Sequence, residues 1–250
     1  MSTTWDPTAY LAFADHRARP FHDLLARIAA RAPRRAVDLG CGPGNLTGLL
    51  AARWPSAAVE GLDSSAEMVA AARDRGIDAH RVDVAAWAPA PDTDVVITNA
   101  VLHWVPQHRD LLPRRLAALP AGAELAMQVP GNFGAPSHTL TRELARDHGV
   151  DLPAASPVAE PAEYAALLAA AAAEVDVWET TYLHRLTGPD PVLEWIASTA
   201  LRPVRDALDE TAYAAFRADL APRLRTAYPA QPDGTTWFPF RRIFAVARVP

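Results

Sequence analysis

The sequence predicts a doubly wound, mostly parallel α/β sheet of seven strands, Rossmann-like, with a helical cap and a helical insertion. Three observations predict it. Short apolar runs alternate with helical periodicity five times between Ala36 and Val129, the pattern of βαβ units, and no internal repeat accompanies them. The first of these runs ends in Asp38 and opens into Gly40, Gly42 and Gly44, a turn where backbone can approach a ligand. A chain of 250 residues, half of them hydrophobic, is long enough to bury one such core.

Residues 6–31 read as one or two helices that carry Tyr10, Phe13, Phe21, Leu24, Leu25 and Ile28 as their apolar set, with Pro20 as a break. The run from Ala36 to Asp38 is the first strand. Its loop points toward a helix containing Leu46, Leu49 and Leu50, for which Asn45 is the expected cap. A helix start over a glycine loop aims backbone N–H groups at a nucleotide-like ligand. The spacing is G-x-G-x-G, one position short of the dinucleotide fingerprint, and Pro43 removes a donor. A pyrophosphate cradle is therefore disfavoured.

Ala57 to Leu62 is the second strand and ends at Asp63, about twenty positions beyond the loop, where a carboxylate can accept both hydroxyls of a ribose. Ser64 is the expected cap of the next helix, with Glu67 at the capping-box distance and Met68, Val69 and Ala72 on its buried side. Ile77 to Val82 is the third strand. Asp83 after it can accept the amine of an adenine while Val84 offers the ring an apolar edge. The fourth strand, Asp94 to Thr98, runs into Asn99 and the His103-Trp104 pair. These stand at the carboxyl end of a strand, where open α/β sheets hold their ligands. A helix over 106–119 and a fifth strand over 124–129 follow. Two helical segments around the proline-rich stretch 150–161 then form an insertion, and insertions on that face shape substrate pockets. A strand over 175–186, helices over 192–201 and 209–227 with Pro222 as a kink, and a buried strand over 238–249 complete the chain.

Composition bounds the function. The formal charge is -5 and no basic block occurs, which argues against nucleic acid as a partner and leaves small anions open. Cys41 is the sole cysteine, so no intrachain disulfide can form. The first twenty residues lack an apolar core of the signal type, and the longest apolar run, 164–173, is too short to span a bilayer. A cytoplasmic protein, monomeric or weakly dimeric and without a metal, is expected. All 24 basic residues are arginine, so an arginine at a given place is not by itself a sign of bidentate recognition.

The residues also resemble a known family. Trp5-Asp6-Pro7, Tyr10-Leu11, Phe13-Ala14, Arg17, Arg19-Pro20, the loop 38–45, Arg53-Trp54-Pro55, Gly61 to Ser65 and Leu102 to Val105 are similar to trans-aconitate 2-methyltransferases. The likeness continues through 175–178, Thr180 to Tyr182, His184, Glu194-Trp195, Leu201-Arg202-Pro203 and 242–248, and so covers essentially the whole chain. It implies a class I S-adenosylmethionine-dependent enzyme that esterifies a carboxylate and releases S-adenosylhomocysteine. It implies that Asp38, Gly40, Gly42 and Gly44 frame the methionine end of the donor, that Asp63 takes the ribose, that Met68 flanks the adenine, and that Ser64 belongs to the same donor site. Asp83 and Val84 would take the adenine edge, and Asn99 would line the sulfonium side. His103 stands where the resemblance leads one to expect Gln, and Phe240-Arg241 lengthens the approach to the last strand. These departures bear on the acceptor.

Methyl transfer to a carboxylate needs no general base, because the acceptor is already ionised at neutral pH. A polycarboxylate needs its other charges paired as it leaves water. The candidates are Arg19, Arg202, Arg241 and Arg242, with Tyr10, His103, His184 and Tyr228 as hydrogen-bonding partners. The expected organisation is one methyltransferase domain over 1–250: a cap at 1–31, a donor-binding half at 32–130 and an acceptor-side half at 131–250. The alternatives are an O-methyltransferase for another small carboxylic acid, a nicotinamide oxidoreductase, or a non-catalytic S-adenosylmethionine-binding protein.

Overall fold

The structure, a computed structural model, describes residues 14–250 apart from 155 and 198. Helix α1 (Ala14–Arg27) is followed by β1 (Arg35–Leu39), α2 (Gly48–Arg53), β2 (Ala58–Asp63), α3 (Ala66–Asp74), β3 (Ala79–Arg81) and β4 (Thr93–Asn99). A 3-10 turn (Leu102–Trp104), α4 (His108–Ala118) and β5 (Glu124–Pro130) end the alternating part. Beyond it lie α5 (Pro136–Asp147), α6 (Pro161–Ala169), β6 (Glu174–Leu186), α7 (Pro191–Ala197), α8 (Arg202–Ala207), α9 (Glu210–Ala227) and β7 (Thr236–Arg248).

The seven strands form one sheet in the order β3-β2-β1-β4-β5-β7-β6. β1 pairs in parallel with β2 and β4, β2 with β3, and β4 with β5. β7 runs the other way. Val249 N donates to Ala123 O and Gly131 N to Arg241 O, so positions rise along β5 as they fall along β7. The expected seven strands and mostly parallel sheet are thus found. β4 and β5 carry apolar runs because both their faces are buried: Val95, Val96, Ile97, Leu125, Ala126, Met127 and Val129 are all buried, with the equally buried Gln128 as a polar interruption. Along β7 the pattern changes midway, from alternation over 236–241 to burial on both faces over 242–247. That change is why the sequence there alternates poorly.

The described chain forms two compact units. The first comprises the chain up to Val129, Pro157–Glu179 and Ile243–Pro250; the second comprises Pro130–Ser156 and Thr180–Arg242. In the first, α1 buries Phe21, Leu24 and Leu25, and Ile28 just after it is buried too. Each such side chain contributes about 1.5–3 kcal/mol. α4 and α6 are joined by a buried couple in which His108 Nδ1 lies 2.9 Å from the Val105 carbonyl and Nε2 lies 2.8 Å from the Tyr164 hydroxyl. A carbonyl only accepts, so Nδ1 carries the proton and Nε2 accepts from Tyr164. In the second unit α9 packs on α5, α7 and α8. An aromatic cluster of Tyr182, His184, Trp195, Phe238 and Phe240 fills its core, with His184 stacked 4.6 Å from Trp195.

Several local expectations are corrected. Pro20 does not break α1, which runs through it. One lost backbone hydrogen bond is outweighed by the buried face that follows. Asn45 does not cap α2, which begins only at Gly48; residues 45–47 form turns, and Leu49 N and Leu50 N reach back three residues to Leu46 O and Thr47 O. The cap of α3 is Ser65 rather than Ser64: its Oγ accepts from Met68 N at 3.2 Å and donates to Glu67 Oε2 at 2.7 Å. β3 is shorter than the apolar run suggested.

Candidate active site

The carboxyl ends of β1, β2 and β4 build the site in the first unit. Gly40, Gly42 and Gly44 all hold positive φ, at 89°, 55° and 74°. Two of them also lack room for a side chain. A Cβ on Gly40 would lie 2.1 Å from Val101 Cγ2, and one on Gly44 would lie 2.8 Å from Ala72 Cβ. The loop after β4 therefore rests on the glycine loop, and α3 presses against its far end. Val101 is delivered there by Ala100, a non-glycine residue at φ 58° that costs about 1–2 kcal/mol of strain.

The amides of this loop are taken up within the protein, which agrees with the disfavoured pyrophosphate cradle and corrects the expectation that they point at a ligand. Gly40 N and Cys41 N both donate to Leu62 O, Gly42 N to Asp63 Oδ2 at 2.9 Å, and Gly44 N to Cys41 O. The end of β2 supplies acceptors close enough to take them. What the site offers a ligand is acceptors. Asp38 is buried, and its Oδ2 accepts from Thr47 Oγ1 at 2.6 Å. Burial pushes this carboxyl up to about 7, against the Thr47 hydrogen bond and with the help of the Asp63 charge. Asp63 accepts Gly42 N on one oxygen and Ser65 N on the other, which leaves a further lone pair on each. Its pKa is raised by burial, with backbone hydrogen bonds from Ser65, Gly42 and Ser64 opposing. Asn99 Oδ1 and Thr98 Oγ1 are buried and take no hydrogen bond among the described residues.

Met68 and Val84 are buried, and the exposed Asp83 caps its own turn by accepting from Ala85 N at 2.8 Å. Arg115 holds this turn from α4, donating to Val84 O and Ala85 O at 2.8 and 2.9 Å with its guanidinium 5.1 Å from the Trp87 ring. Sequence reasoning missed Arg115 and Thr47, whose partners lie outside any helical or strand period. Ser64 is exposed, and its carbonyl accepts from Arg81. His103 is half-buried in the 3-10 turn, 4.7 Å from the ring of the exposed Trp104, and Arg19 is exposed on α1. Tyr10 lies outside the described residues.

The second unit gathers most of the other acceptor-side candidates. His184 belongs to the aromatic cluster, and the guanidinium of the buried Arg242 lies 4.3 Å from the Phe240 ring of the same cluster. Tyr228 packs on Phe238, and its hydroxyl accepts from Ser137 N at 3.0 Å. The guanidinium of Arg241 reaches Gly131 O at 3.4 Å. Arg202 is half-buried at the first position of α8. His138, within this unit, is held well below the ordinary histidine range, at about 4, by burial and the neighbouring Arg142 charge.

A site of buried acceptors fits a cationic ligand that carries donors, and it repels a pyrophosphate. Among solved structures, the phosphoethanolamine N-methyltransferase 2 of Haemonchus contortus, in complex with S-adenosyl-L-methionine, matches 98% of this chain and 57% of its own at a TM-score of 0.59 and 14% identity. The YcgJ protein of Bacillus subtilis matches 92% of this chain and 98% of its own at 0.57 and 15% identity. These similarities concern the fold. The family profile described as "Methyltransferase domain" matches residues 13–186. The trans-aconitate 2-methyltransferase of Rhodococcus jostii is 61% identical over 98% of this chain and 99% of its own, and that of Mycobacterium tuberculosis 54% over 98% and 97%.

The chain belongs to the trans-aconitate 2-methyltransferase family. Like the family, it is a class I methyltransferase that uses S-adenosylmethionine as its methyl donor. The family's donor meets the acceptor set described above in chemical kind: its ammonium, ribose hydroxyls and adenine amine all donate.

Proposed function

We propose that this chain transfers the methyl group of S-adenosylmethionine to a carboxylate of a small polycarboxylic acid, trans-aconitate foremost. A C–O bond forms, the S–CH3 bond breaks with its electron pair left on sulfur, and the monomethyl ester and S-adenosylhomocysteine leave. One observation carries this reading. The likeness to the curated trans-aconitate 2-methyltransferases does not stop at residue 186, where the generic methyltransferase profile ends, but spans 98% of the chain. The part of the chain beyond that profile includes α7, α8 and α9, and segments of this kind choose the acceptor on a shared fold.

When bound, S-adenosylmethionine supplies an electrophilic methyl group on a sulfonium. Asp38, Gly40, Gly42, Gly44, Asp63, Ser64, Met68, Asp83, Val84 and Asn99 are proposed to hold it, with Asp63 accepting the ribose hydroxyls and Asn99 Oδ1 accepting from the methionine part. The acceptor carboxylate arrives ionised, so the chain needs no catalytic base. Its task is to align the acid and to exclude water that would solvate it. For this we assign Arg19, Arg202, Arg241 and Arg242, which pair the remaining charges, with Tyr10, His103, His184 and Tyr228 as hydrogen-bonding partners. We assign the chain as a single methyltransferase domain, monomeric or weakly dimeric, in the cytoplasm. No helix among the described residues is long and apolar enough to cross a membrane.

His103, in the place where the family's best-known members are expected to carry Gln, favours a second reading: the same chemistry on another small carboxylic acid. Labelled S-adenosylmethionine offered with a panel of di- and tricarboxylates, with ester formation followed by mass, tests both. A methyl ester of trans-aconitate is expected; an ester of a different acid alone selects the second reading. Binding of S-adenosylmethionine with no ester from any acid overturns both.

A further inference from the structure

We infer that Asn132 is a further acceptor-positioning residue, its uncharged carboxamide taking a carboxylate of the acid. Asn132 is 4% exposed, and neither its Oδ1 nor its Nδ2 has a hydrogen-bond partner among the described residues. The backbone around it is pinned. Gly131 N donates to Arg241 O, Ala135 N donates to Asn132 O, and Arg142 donates to Phe133 O at 3.0 Å. The carboxamide is therefore held in place yet unused, a costly state for a group that an apolar side chain of the same size would avoid.

Its place favours a ligand. Asn132 follows the carboxyl end of β5, the edge at which open α/β sheets bind. The stretch 131–137 is tied directly to two acceptor candidates of the same unit: Arg241 through both its carbonyl and its guanidinium on Gly131, and Tyr228 through its hydroxyl on Ser137 N. The chemistry also suits. An arginine on a carboxylate neutralises the charge that makes it a nucleophile, whereas an amide N–H orients it and leaves that charge in place. The carboxamide oxygen can accept from a hydroxyl or an undissociated carboxyl of the same acid.

This inference rests on the carboxyl methyltransferase reading, and wild-type turnover over the acid panel is measured first. Asn132→Leu and Asn132→Asp are then compared with wild type in acceptor KM and kcat, S-adenosylhomocysteine affinity by calorimetry, and melting temperature. Asn132→Leu is expected to raise acceptor KM about tenfold or more with S-adenosylhomocysteine affinity unchanged. Asn132→Asp, which sets carboxylate against carboxylate, is expected to do at least as much at pH 8 and to recover relative to wild type as pH falls and the new carboxyl gains a proton. A purely structural defect would recover melting temperature and S-adenosylhomocysteine affinity together with acceptor KM, so all three are followed over the same pH range, and recovery of acceptor KM alone is the expected result. Wild-type acceptor KM in both variants overturns the inference and leaves the reaction standing, whereas no ester from wild type overturns both. If Asn132→Leu does not fold, Asn132→Asp decides.

Discussion

At the scale of single residues, Gly40 and Gly42 make a controlled pair. Both hold positive φ, but a Cβ on Gly40 meets Val101 at 2.1 Å whereas one on Gly42 has nothing within 4 Å. Gly42→Ala should therefore cost only the backbone term, about 1 kcal/mol. Gly40→Ala should displace Val101 as well and weaken S-adenosylmethionine binding about tenfold or more, which calorimetry on both variants checks. Arg202 is expected to matter to the acceptor alone: Arg202→Ala should raise acceptor KM about tenfold with S-adenosylmethionine affinity intact. Equal loss of both would remove it from the acceptor site. The places of the glycine loop, Asp38, Asp63 and Asn99 at the carboxyl ends of strands were legible because strand ends and turns leave local signals. Thr47, which holds Asp38 from nine positions away, was not, because a threonine in a turn looks the same whether its hydroxyl meets water or a buried carboxylate.

At the scale of elements, the end of α1 and the residues just after it are fastened by three side chains from two other places. Arg53 donates to Leu25 O and Ile28 O, Trp54 Nε1 to Ala30 O, and the buried Glu124 accepts Ala29 N and Ala30 N at 3.1 and 2.7 Å. This gives Arg53-Trp54 a physical role: the pair donates to one carbonyl in the last turn of the helix and to two in the segment just beyond it. Glu124→Leu should strand two amides and destabilise the fold by about 2–3 kcal/mol, read by urea denaturation, with no change in the acceptor preference of the folded enzyme. A change below about 0.5 kcal/mol would mean that water serves those amides equally well. The seven strands, taken along the chain, were legible from apolar runs and most helices from their period, but the order of the strands in the sheet was not. The helix starts and the effect of Pro20 were not, because burial and long-range partners settle them.

At the scale of the whole molecule, two buried groups pull pH dependence in opposite directions. Asp38, raised to about 7, favours the folded state at acid pH, and its contribution is lost as pH rises from the unfolded value near 4 through 7. His138, lowered to about 4, favours the folded state above about 6.5, and its contribution is lost as pH falls toward 4. The two offset each other across the same window. Relative to wild type, Asp38→Asn should make stability climb with pH by on the order of 4 kcal/mol between pH 4 and 7. His138→Gln should make it decline by about 3 kcal/mol, and parallel curves for all three proteins in urea titrations would refute the offset. The sheet order has a consequence in time. β7 pairs along β5, yet the whole of 131–235 separates them in the chain. At synthesis rates of about 5–20 residues per second, the newly made edge of β5 waits roughly 5–20 s for its neighbour. During that interval the nascent sheet carries an apolar strand edge open to other chains, so yield in the cell should depend on chaperones that shield half-made sheets.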